Sequence, residues 1–128
     1  MTTTEIGLQI SLKAEHQLYL SRLAILHYGG IDEQNEDMVR KFIRLAPWAA
    51  WPALTWRSPE DTNQLGVVTA TINLTHETTD VMKFTIDEIN VINRRTLQAV
   101  QITPRIFVAT AIYWWIHHVY PANVIQYN

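Results

Sequence analysis

Residues 65–75 alternate. Val68, Ala70, Ile72 and Leu74 fall on one side of an extended chain, and Thr69, Thr71, Asn73 and Thr75 fall on the other. Side chains of a strand repeat every two residues, so this pattern predicts a strand with one apolar and one polar face. Such a strand needs a partner for its backbone. The nearest in sequence is Val81–Thr85, reached through a polar turn over His76–Asp80. The reading is a β-hairpin over about 65–85. An isolated two-stranded hairpin is marginally stable in water. It therefore has to pack on helices, or have its edge completed by a partner chain or by the apolar C-terminal tail, Val124–Tyr127.

The flanking segments carry helical spacing. In 8–28, Leu8, Leu12, Tyr19, Leu23 and Leu26 follow the three-to-four spacing of one helical face, with steps of four, seven, four and three, and Gly29-Gly30 follows as a stop. From Asp32 to Ala46 the acids come first (Asp32, Glu33, Glu36, Asp37) and the bases last (Arg40, Lys41, Arg44), which complements the helix dipole. Glu36–Arg40 and Asp37–Lys41 are favourable i,i+4 pairs. Thr85 to Glu88 fits a capping box for a third helix running to about Gln101. Thr103-Pro104 opens a fourth over 104–119, apolar nearly all round and ended by Pro121. The expected fold class is α+β: two N-terminal helices, the hairpin and two C-terminal helices, in a single domain spanning 1–128.

Composition narrows the function classes. The 128 residues include no cysteine, which excludes disulfides, thiolate nucleophiles and cysteine-ligated zinc. Charged residues make up 17%, below the usual quarter, so more of the surface is neutral or apolar and suited to partner contacts. The net charge of -2 argues against nonspecific nucleic-acid binding by the whole chain. All the acids lie in residues 1–88; residues 89–128 hold only the bases Arg94, Arg95 and Arg105. Met1–Glu5 lacks the basic and apolar regions of a secretory signal. The longest apolar run, Ile106–Ile116, falls short of the ~20 residues of a membrane span. The expected setting is cytoplasmic, with no membrane contact. Asn73-Leu74-Thr75 matches a glycosylation sequon, which has no role without secretion.

Two aromatic clusters stand out. The connector over 46–64 holds Trp48, Trp51 and Trp56 among Pro47, Pro52 and Pro59. It reads either as a lid over the gap between helices and sheet or as a docking surface, since tryptophan is enriched at interface hot spots. Trp114 and Trp115, beside Tyr113 and ahead of His117 and His118, form the second cluster. Together with Tyr127 of the tail, these tryptophans are the candidate interface residues. Arg94, Arg95 and Arg105 are the candidate anion-binding residues; the alternative is a solvated basic face. Adjacent histidines lack the i,i+3 or i,i+4 spacing of a helical metal pair, so no metal or cofactor is expected. No nucleophile elbow, His-Glu-x-x-His pattern or phosphate-cradling glycine loop is present.

These features favour a self-associating structural or protein-interaction module, a homo-oligomeric subunit of a larger assembly, over an enzyme. A viral or phage component fits by fold-level analogy alone. One alternative is a small enzyme or ligand-binding domain with an aromatic-lined pocket between the fourth helix and the tryptophan connector. Another is a nucleic-acid-binding dimer that uses Arg94, Arg95 and Arg105.

Overall fold

A computed structural model describes residues 6–50, 54–95 and 101–121. Within them the class is α+β, with a two-stranded antiparallel sheet and four main helices. In chain order these are β1 (Ile6–Lys13), α1 (Ala14–His27), α2 (Ile31–Leu45), the single turn α3 (Pro47–Ala50), β2 (Val67–Leu74), α4 (His76–Arg95) and α5 (Pro104–Trp114). A π-helical turn, Trp115–Val119, extends α5.

The alternating segment is a strand, but its partner is not Val81–Thr85. β2 pairs with β1, Ile6 opposite Leu74 and Lys13 opposite Val67. Leu8 and Leu12 are four apart, an even step that fits a strand as well as a helix. Ile10 between them completes the alternation with Gln9 and Ser11. The expected first helix therefore begins six residues later, at Ala14. Gly66, at φ 77°, turns the chain into β2, and its carbonyl accepts the N–H of Ala14 at 2.7 Å.

Val81–Thr85 is helical because its apolar residues follow the helical period. Met82, Ile86 and Ile89 are buried along α4, at steps of four and three. The cap lies earlier than expected: Thr75 Oγ1 accepts the N–H of Thr78 at 3.3 Å. Thr85 sits in mid-helix, where its hydroxyl donates to the carbonyl of Val81. The fourth-helix cap is where the sequence puts it, Thr103 Oγ1 accepting from the N–H of Ile106 at 3.2 Å.

α5 runs through the middle of the core. Phe107, Val108, Ala111 and Trp115 are fully buried, packed with Phe42, Met38 and Val39 of α2 and with Ile10, Leu12, Ile72 and Leu74 of the sheet. A helix that is apolar all round belongs inside, as this one does. Truncating a buried aromatic such as Phe107 to alanine costs about 3–5 kcal/mol. Asn90 closes the join between α4 and α5: its amide donates to the carbonyl of Ile102 at 3.0 Å and accepts the N–H of Ile102 at 2.8 Å, all buried. Both expected ion pairs form, Arg40–Glu36 at 3.2 Å and Lys41–Asp37 at 3.1 Å. No helix among the described residues is long and apolar enough to cross a membrane.

Candidate functional site

Trp48 and Trp56 take the lid role. Trp48 and Trp56 are half-buried, and their rings pack on Phe42 and Phe107, with Trp48 5.0 Å from Phe42 and 5.8 Å from Trp56. Trp114 and Trp115 are core residues, 4% and 0% exposed, so neither presents a surface to a partner. Their neighbours on the helix turn outward instead, and His117 and His118 are exposed. Trp51 and Tyr127, with the tail strand 124–127, lie outside the described residues. Arg94 and Arg95 are exposed on the last turn of α4, and Arg105 is exposed on the first turn of α5. None of the three makes an ion pair among the described residues.

Large apolar side chains nevertheless reach the surface, most of them on α1 and α4. Leu18 and Ile25 of α1 are 66% and 82% exposed, and Phe84 of α4 is 65% exposed, with Val81 one turn before it. Exposed residues of this size at helical spacing suit contact with another protein.

Among the described residues the sheet has one covered edge and one open edge. Glu60 donates its backbone N–H to the carbonyl of Ser11 at 2.9 Å, so the connector lies along β1. Ser11 therefore turns its backbone groups away from β2. In an antiparallel pair the residue opposite does the same on the far side, and that residue is Thr69. Thr71, two further on, follows the same phase. At Thr75, just past the strand, the outward N–H is taken by the carboxylate of Glu36. No backbone hydrogen bond among the described residues engages the outer side of Thr69 or Thr71, and both residues are exposed. The polar face of the sheet is knit by side chains, Gln9 to Thr71 at 2.9 Å and Ser11 to Thr69 at 3.3 Å.

A cleft of about 370 Å³ opens between the end of β1, the start of α1, the connector and α5. It lies between the fourth main helix and the connector, the region named in the ligand-binding alternative. Its aromatic wall is Tyr113, while the tryptophans face the core. The connector is anchored there by Thr110, whose hydroxyl accepts the N–H of Arg57 at 2.9 Å. The Arg57 guanidinium lies 4.0 Å from the centre of the Tyr113 ring, a cation–π contact that orients it. His117, one turn on from Tyr113, is 4.3 Å from that ring, and His16 of α1 meets His117 edge-on at 5.8 Å. Lys13, Glu15 and Glu60 complete the charged lining.

The two imidazoles sit in different fields. Partial desolvation is the main cause holding each below the ordinary histidine range. His16 also feels the acids Glu15 and Glu60, opposed by Lys13 and Arg57. The charges that act on His117 are all basic: His16, His118, Arg57 and Lys13. No group of three metal-ligating side chains converges among the described residues. Arg57, Glu60 and His16 do not stand out in the sequence. No local signal marks them, since residues 16, 57, 60 and 117 meet only through the fold.

No protein-family model matches the chain, and no curated protein or solved structure matches it either.

Proposed function

We propose that this chain is a self-associating protein-interaction module that pairs with a second copy through the outer edge of β2. The observation that carries the reading is that edge: exposed at Thr69 and Thr71, with no backbone partner there among the described residues, and without the guards that the strand itself could carry. Natural sheets protect open edges with lysine, proline, bulges or inward charges. Val67–Leu74 contains no charged residue and no proline, and its pairing with β1 runs without a bulge.

Self-pairing about a two-fold axis sets like residue against like, because both copies offer the same patch. A charged strand would repel its copy there. A neutral, threonine- and valine-rich strand does not, and it has the β-propensity to extend the sheet. The product is a four-stranded sheet, above the size at which sheets become independently stable. The exposed apolar residues of α1 and α4 supply further contact area for that copy or for other members of an assembly.

The test is the mass in solution. Sedimentation equilibrium at micromolar concentration is expected to give a dimer or higher. Thr71→Pro removes an N–H that points away from β1, so the internal ladder survives while the outer edge is blocked. That variant is expected to be monomeric with a near-native circular dichroism spectrum. A monomeric wild type, or a Thr71→Pro variant that is folded and still dimeric, would sink the reading.

A further inference from the structure

The cleft beside Arg57 has no part in edge pairing. Its walls hold two bases, Lys13 and Arg57, and two acids, Glu15 and Glu60. None of these four is joined in an ion pair among the described residues, where the ion pairs are Arg40–Glu36 and Lys41–Asp37. Four opposite charges thus face one small cavity without neutralising each other directly.

Arg57 is fixed by its stacking on Tyr113 and by the tie of its backbone to Thr110. His117 stands against the same ring. A planar guanidinium held in place, with imidazole donors beside it, matches the two oxygens of a carboxylate, sulfonate or phosphate. The acids reach the cleft from two other segments, Glu15 from the first turn of α1 and Glu60 from the connector, whose backbone N–H is held by Ser11. Their carboxylates match an ammonium. The volume suits one small molecule. A plain anion would be repelled at the Glu60 end, and a plain cation at the Arg57 end.

We infer that the cleft between β1, α1, the connector and α5 binds a small zwitterion, an amino-acid-like molecule whose oxyanion meets Arg57 and His117 and whose ammonium meets Glu60 and Glu15. Neither end suffices alone, so the site selects for both charges in one molecule.

The test titrates the full-length chain at pH 7 with glycine, β-alanine and taurine, which vary the spacing between amine and oxyanion. Sulfate and ethylammonium serve as single-charge controls, with the imidazole NMR signals of His16 and His117 as the readout. At least one zwitterion is expected to saturate below roughly 1 mM and to bind at least tenfold tighter than either control. Glu60→Gln keeps the backbone bond to Ser11 and removes only charge. It is expected to weaken the zwitterion tenfold or more while sulfate binds as well as before or better, the repulsion being gone, whereas Arg57→Lys weakens both. If none of the three zwitterions saturates, if a control binds within tenfold of the best of them, or if Glu60→Gln binds as wild type does, the inference fails. The site and the β2 edge are separate, so a monomeric protein that binds taurine would overturn only the self-association, and a dimer that binds nothing would overturn only the site.

Discussion

The indole N–H of Trp115 donates to Oε1 of Gln34 at 3.2 Å, in the middle of the core. The other end of the same amide donates to the carbonyl of Leu20 at 2.7 Å. One fully buried side chain thus links α1, α2 and the C-terminal π turn. Gln34→Met keeps most of the volume but leaves the indole N–H without an acceptor, at a cost of about 2 kcal/mol. Gln34→Glu is expected to be worse at pH 7, where a carboxylate faces the Leu20 carbonyl, and to recover partly near pH 4, where the protonated acid donates. Urea denaturation at the two pH values checks both; equal losses at pH 7 and pH 4 would contradict the arrangement.

Asn90 is the counterpart at the other end of the core. Both of its bonds go to the backbone of Ile102, and both are buried. Asn90→Ala strands a buried N–H and a buried carbonyl together, and is expected to cost about 3 kcal/mol. For a chain of this size that lowers the melting temperature by about 10 °C. A loss under 3 °C by calorimetry would show that the join does not depend on the amide.

Stability is expected to fall with pH in two stages. His16 and His117 have folded-state values below the ordinary histidine range, chiefly through partial desolvation. The unfolded chain binds their protons more readily, so their contribution is complete above about pH 6.5 and is lost as pH falls through the lowered values. Burial alone would raise the carboxyl of Glu36. The backbone N–H of Thr75, the hydroxyls of Thr78 and Thr75, and Arg40 together outweigh it and hold the group low. Its contribution is complete above about pH 4.5 and fades as pH falls through that lowered value. Urea midpoints from pH 8 to pH 3 should show both stages. The double variant His16→Gln/His117→Gln should remove the first and Glu36→Gln the second; if the stages persist in these variants, the assignment is wrong.

Ala46 ends α2 in the left-handed region, at φ 46° and ψ 54°. An L residue there costs about 1–2 kcal/mol, against about 0.5–1 kcal/mol for glycine's greater freedom when unfolded. Ala46→Gly is therefore expected to stabilise by up to about 1 kcal/mol, raising the melting temperature by a few degrees. A lower melting temperature would mean that the Ala46 methyl contributes more packing than the backbone gains.

Legibility in the sequence followed the range of the interaction. The buried character of α5, its Thr103 cap, the i,i+4 ion pairs of α2 and the alternation of β2 all depend on residues within a few positions of one another, and the sequence displays each. The partner of β2 depends on a segment two helices away. Leu8 and Leu12 satisfied both periods, and Val81–Thr85 offered a nearer strand, so proximity misled. Trp114 and Trp115 show a related limit. Two adjacent rings on a regular helix point about 100° apart, yet α2 meets both, with Phe42 against Trp114 and Gln34 against Trp115. The cleft was the least legible, because Arg57, Glu60, His16 and His117 lie on four separate segments and none carries a local mark.

The distance along the chain between β1 and β2 also orders events in time. During synthesis β1 leaves the ribosome first, with its apolar alternation complete and nothing to pair with, while both helices of the intervening segment are made. Closing so long a loop is entropically slow, so the sheet forms late, after the helices it joins. Until then β1 is a bare strand, open to any extended segment nearby, and early release or truncation before Leu74 would leave a chain with one unmatched strand.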